Sequence, residues 1–179
     1  MSPQTLLHFW FETIPQSAWW EKNPGFDAEL GARFGATHQA ATRGELAHWR
    51  DSAQGRLAEI IVLDQFSRNI YRDQPLSFAF DGMALILAQE ACRADAHLAL
   101  NSDQQAFLFM PFMHSESLRV HEEAVRLFST PGLESNLDFE LRHKAIIERF
   151  GRYPHRNAIL GRSSTPEEIA FLREPGSSF

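Results

Sequence analysis

Apolar residues recur along this chain at the three- and four-residue spacing of a helical turn, and no useful window alternates with the period of two that marks a strand. In SPQTLLHFWFE, Ser2 is placed to cap and Pro3 to take the first helical position, ahead of a thick apolar face of Leu6, Leu7, Phe9, Trp10 and Phe11. A second helix is expected from about Phe26 to Arg43, closed by Gly44. GRLAEIIVLDQFSRNIYR and LSFAFDGMALILAQEACRAD read as the next two, the latter with Ser77 as cap. NSDQQAFLFMPFMHSESLRVHEEAVRLFS reads as helix on either side of a break near Pro111. NLDFELRHKAIIERFG begins at Asn136 and ends with Gly151 just past its last turn, and Thr165, Pro166 and Glu168 stand in the order of a capping box. The pattern predicts one all-α domain over residues 1–179, about seven or eight helices joined by short turns, with a mobile tail from about residue 173.

Composition narrows the class. With 179 residues, 44% of them hydrophobic, and 15 Phe and 4 Trp, the chain can build one well-packed core. Its richest apolar runs, LAEIIVL and FLFMPFM, fall well short of the roughly 20 residues that span a bilayer. The N-terminus lacks a basic n-region and a small-residue cleavage site, so a cytoplasmic protein with no membrane partner is expected. Cys92 is the single cysteine, which excludes an internal disulfide and a multi-thiolate zinc site, and it is expected to pack as a buried small hydrophobe. The formal net charge of -6 argues against non-specific nucleic-acid binding. Glycine-rich phosphate loops, GxSxG, HExxH and EF-hand ligand series are missing, so neither cofactor nor metal is expected.

Polar positions on these apolar helices form three constellations. Spacing of four aligns Asp64, Arg68 and Arg72 on one stripe and Gln65 and Asn69 on the next. His114, Ser115 and Glu116 fall where the helix breaks after Pro111, with His121 two turns further on. RFGRYPHRNAILGR, residues 149–162, gathers Arg149, Arg152, Arg156 and Arg162 with His155. Laying EIIVLDQFSRNIYR on HKAIIERFGRYPHR without gaps sets Asp64 on Glu148, Arg68 on Arg152 and Arg72 on Arg156. Two facing units of a helical repeat would produce this, and so would shared amphipathic spacing. An acidic chain can hold such arginines against its own Asp64, Asp81, Glu116 and Glu148, or keep them for an anion.

LDQFSRNIYRDQPLSFAFD, MPFMHSE and RFGRYPHRNAILGRSSTPEEIAFL, preceded by FWF and WWEKNPGFDAELGARF, resemble the bacterial domain-of-unknown-function family nine hundred and twenty-four. The resemblance runs from Trp10 to about Leu172, with Ser67 where the family has proline and His121 where it has glutamine. It implies an all-helical, tetratricopeptide-like fold and no assigned activity. It also implies that the motif positions are Asp64, Gln65, Arg68, Asn69, Arg72, Asp81, His114, Ser115, Glu116, Arg149, Arg152, His155, Arg156 and Asn157, alongside Phe66. The leading expectation is a small phosphate- or carboxylate-bearing ligand held by Arg68, Arg72, Arg152 and Arg156 and oriented by His114, Glu116 and His155, the constellations converging on one recess. One alternative is a hydrolase or transferase with Glu116 or Asp64 as base and His114 or His155 as acid-base partner. Another is a scaffold whose groove binds an acidic peptide. Oligomeric state stays open.

Overall fold

The structure, a computed structural model, describes residues 1–177. Ser2 Oγ accepts the Thr5 N–H at 3.1 Å and opens α1 (Pro3–His8), which runs on as a π turn over Phe9–Thr13. Asn23 Oδ1 accepts from the N–H groups of Gly25 and Phe26 and starts α2 (Pro24–Thr42), beyond which Gly44 takes the left-handed conformation at φ +73°. Ser52 caps α3 (Ala53–Ile61), which passes through a second π turn, Val62–Phe66, into α4 (Ser67–Ile70). Then follow α5 (Asp81–Arg93), α6 (Ser102–Met113), α7 (Leu118–Phe128), α8 (Glu134–Phe150) and α9 (Pro166–Phe171). Short 3-10 turns, among them Pro75–Ser77 and Pro154–Arg156, join them, and no strand occurs among the described residues. No described helix is long and apolar enough to cross a membrane.

The capping box at Thr165 and Glu168 forms as the pattern predicts, and Gly151 ends α8 at φ +68°. Three boundaries differ. Pro111 lies inside α6, and the break follows at residues 114–117. Every residue from Ala106 to Met113 is buried, so tertiary packing on all sides of the helix outweighs the one hydrogen bond that proline removes. Ser77 ends a 3-10 turn instead of capping α5, which starts at Asp81. α8 begins at Glu134, a turn's half earlier than Asn136. The two segments that match without gaps also part company: the first stays helical through Ile70, whereas the second leaves its helix at Gly151.

The chain divides into two compact units, residues 1–72 with 76–111 and residues 73–75 with those from 112 onward. In the first, α1 packs on α3 and α3 on α5. Phe9, Phe34 and Phe66 meet in sequence with centroids 5.0 and 5.1 Å apart, and the buried Trp10 lies 5.4 Å from Phe66 and 5.6 Å from Phe107. Such pairs add about 0.5–1.5 kcal/mol each beyond area burial. Cys92 is half-buried in α5, more open than the core position expected of it. In the second unit α7 packs on α8, and Ile146, Ile147, Tyr153 and Phe171 form a buried cluster with Phe150 against it. Of the tail expected to be mobile, Ser177 Oγ donates to the Leu172 carbonyl, and residues 178–179 lie outside the described residues.

Candidate functional site

In the first unit the second π turn, Val62–Phe66, carries the polar pair Asp64 and Gln65. Widening one turn shifts the helix register locally, and both Asp64 and Gln65 end up buried in an otherwise apolar segment. Asp64 Oδ1 pairs with Arg68 Nη1 at 3.0 Å, and Gln65 Nε2 donates to Asp64 Oδ2 at 2.6 Å and reaches the Met110 sulfur at 3.3 Å. Arg68 also grips Asp81 with two hydrogen bonds, at 2.9 and 3.0 Å. Arg72 does not extend a ladder down its own helix; it reaches Asp27 in the first turn of α2, at 2.6 and 2.8 Å, where Asn69 Nδ2 donates to the same carboxylate. Burial pushes the Asp27 carboxyl up, but hydrogen bonds from Arg72 and Asn69 and the charges of Arg72 and Lys22 bring it below its ordinary value. Ser67 donates to the Leu63 carbonyl and accepts from His38 Nε2, whose ring burial holds it below the usual imidazole range.

In the second unit the turn after α6 presents Glu116 to the loop that follows α8. Glu116 Oε1 accepts the Tyr153 N–H at 2.8 Å, and Arg162 closes on both carboxylate oxygens at 2.7 and 2.8 Å. Burial raises this carboxyl, yet Arg162, the Tyr153 amide and the charge of Arg156 lower it further, so the group is held ionised. Arg162 Nε donates to Asn157 Oδ1, and Asn157 Nδ2 passes the network on to Ser164 Oγ and Glu168 Oε2. Glu168 takes Arg152 Nε and Nη2 at 2.7 and 2.8 Å and the Thr165 N–H at 2.7 Å. These bonds, Arg152 first, pull the Glu168 carboxyl down to about 2 against the opposing effect of burial. Arg156 donates to the His114 carbonyl at 3.0 Å and lies over the Tyr153 ring, and the His155 ring centroid is 5.6 Å from that ring. Ser115 Oγ accepts the Ser117 N–H, and Arg149 pairs with Glu167 while covering Phe150 and Phe171.

The expected site residues thus fall into two sets. Asp64, Gln65, Arg68, Asn69, Arg72 and Asp81 belong to the first unit; His114, Ser115, Glu116, Arg149, Arg152, His155, Arg156 and Asn157 belong to the second. Glu148, expected to neutralise an arginine, pairs with Lys144 one turn earlier on α8. The carboxylates that hold Arg72 and Arg152 are Asp27, which no spacing singled out, and Glu168, expected only as the far member of a capping box. Both sit in the first turn of a helix, where an acidic residue reads as a complement to the helix dipole and its longer reach goes unseen. Among the described residues no three His, Cys, Asp or Glu side chains gather into a metal-ligating group.

Residues 6–176 match the family described as bacterial protein of unknown function (DUF924). The chain belongs to this family. A solved structure is similar in fold: the protein of unknown function ATU0120 from Agrobacterium tumefaciens, 37% identical, superposes with a TM-score of 0.91 over 96% of each chain. No curated protein matches this DUF924 chain.

Proposed function

We propose that this DUF924 protein binds a small molecule bearing a phosphate or carboxylate group through its second unit, with Arg152 as the principal donor and His114, Glu116, His155, Arg156 and Asn157 around it. The observation that carries this reading is the state of the Arg152 guanidinium. Glu168 takes its Nε and Nη2, and the Ser163 carbonyl takes Nη2 again at 2.9 Å, so the plane cannot swing. Its Nη1 makes no hydrogen bond among the described residues, and the side chain is 31% exposed. A planar cation held along one edge, with its Nη1 outside those bonds, has already lost rotamer freedom that anion binding would otherwise cost. In the first unit Arg68 is shared between two carboxylates, Asp64 and Asp81, and Arg72 is held twice by Asp27. Glu116, ionised and holding three hydrogen bonds, is poorly suited to act as a general base, which weighs against the hydrolase alternative.

Thermal-shift titration with inorganic phosphate and with small phosphorylated and carboxylated metabolites tests the reading. A ligand at a hundred times its Kd stabilises by about 2.7 kcal/mol. Arg152→Lys keeps the charge and one bond to Glu168 but loses the fork, and is expected to weaken binding on the order of tenfold, as the loss of one charge-assisted hydrogen bond does. Equal affinity in wild type and Arg152→Lys, or the lack of any stabilising anion, would overturn it.

A further inference from the structure

Deep in the second unit, His121 and Glu140 are both fully buried, at 0% exposure, and face each other from α7 and α8 with His121 Nδ1 2.7 Å from Glu140 Oε1. The other contacts of the pair decide where its protons sit. His121 Nε2 lies 2.8 Å from the Ser115 carbonyl oxygen, which can only accept, so Nε2 carries a hydrogen. Tyr153 donates its hydroxyl proton to the Met113 carbonyl at 2.6 Å, so its oxygen is left to accept from the same Nε2–H at 3.2 Å. One proton therefore remains for the Nδ1···Oε1 contact. The remaining carboxyl oxygen, Glu140 Oε2, is buried with no hydrogen-bond partner among the described residues. A carboxylate spreads its charge over both oxygens, and a bare buried anionic oxygen is far costlier than a bare carbonyl oxygen.

We infer that Glu140 is a neutral carboxylic acid that donates its proton from Oε1 to His121 Nδ1, and that this uncharged pair is a positioning device for Tyr153 and, through it, for Glu116. The inference rests on the proposed anion site, since Tyr153 is the residue that joins the two: its hydroxyl accepts from His121, its N–H donates to Glu116 Oε1, and its carbonyl accepts from Arg162 Nη2 at 3.1 Å. Burial raises the Glu140 carboxyl above the usual carboxylate range, and His121 and Lys144 offset only part of that. Of the groups around Tyr153, His143 on α8 is itself held neutral by burial, and Arg156 on the loop lies over the Tyr153 ring.

Histidine-selective nitrogen NMR of the full chain tests the inference without any ligand. His121 is expected to show a protonated Nε2 and an unprotonated, acceptor-type Nδ1 from pH 6 to 8. Two protonated ring nitrogens would mean an ion pair and would overturn it. Glu140→Gln can donate an amide N–H to Nδ1 in place of the acid, and is expected to keep this signature and the hydrogen-exchange protection of the Tyr153 amide. Glu140→Leu offers no donor and is expected to lower that protection at least tenfold; unchanged protection in a folded Glu140→Leu protein would remove the positioning role. The predicted signature in a protein that fails to bind inorganic phosphate would sustain this inference while the anion reading falls.

Discussion

His143 supplies a prediction whose size follows from its surroundings. It is 6% exposed on α8, donates Nδ1–H to the Phe139 carbonyl at 2.7 Å, and meets the Tyr153 ring edge-on with centroids 5.7 Å apart. Burial drives its pKa from 6.5 to about 3; the Phe139 carbonyl acts the other way, and His114, His121 and His155 add to the fall. Between those two values the unfolded chain binds a proton that the folded chain refuses, so stability rises with pH across the window. The contribution is complete above about pH 6.5 and is lost as pH falls toward 3, at about 1.4 kcal/mol per pH unit. By pH 4.5 the loss is about 2.7 kcal/mol, and across the whole window it is about 5 kcal/mol, comparable to the lower end of the total stability of a domain. His143→Phe keeps a ring against Tyr153 and removes the proton. Losing the bond to Phe139 lowers stability by a roughly constant 1 kcal/mol at all pH values. Urea unfolding at fixed ionic strength should therefore show the wild-type curve falling more steeply than the variant's between pH 6.5 and 4.5, by about 1.4 kcal/mol per pH unit. His38, whose burial acts in the same direction, is present in both proteins and cancels from the difference. Parallel curves would refute the reasoning.

Two further outcomes follow from the geometry. A Cβ on Gly55 would lie 1.8 Å from the Trp49 carbonyl oxygen and 2.7 Å from its carbon, both backbone atoms, so Gly55→Ala should cost several kcal/mol or prevent folding, as circular dichroism and thermal melts would show. Glu168, held down to about 2 chiefly by Arg152, contributes stability that is complete above the ordinary carboxylate range near 4.5 and is lost as pH falls through 2. Glu168→Gln should accordingly flatten acid unfolding between pH 4.5 and 2 and leave the slope between pH 6.5 and 4.5 unchanged, which separates its effect from that of His143.

Much of the candidate site was legible as residue types and little of it as pairings. Asp64 and Arg68 meet because spacing of four puts them one turn apart on a single helix, a local relation that survives the π turn. Arg72 obeys the same spacing and yet turns to Asp27, 45 residues upstream, since α2 and α4 pack together and bring a carboxylate closer than the previous turn offers. Arg162 stood in the quoted basic stretch without a role; its closure on Glu116 depends on the loop after α8 folding back on the turn after α6. Tyr153 and Glu140 carried no signal, because an aromatic and a lone glutamate on an amphipathic helix look like core and solvated face.

What the sequence by itself determined is the local grammar of the fold: an all-α chain, the caps at Ser2 and Thr165, the left-handed stops at Gly44 and Gly151, and the absence of any long apolar span. These depend on a residue and its neighbours within one helical turn, where sterics and short hydrogen bonds act without help from the rest of the chain. Tertiary structure alone decided that Pro111 would remain helical, that Glu140 would be sealed from water beside His121, and that Glu168 would hold a part-exposed Arg152. Burial and charge pairing depend on which helices meet, and a carboxylate carries no mark in the sequence of whether it will face water, a histidine or an arginine.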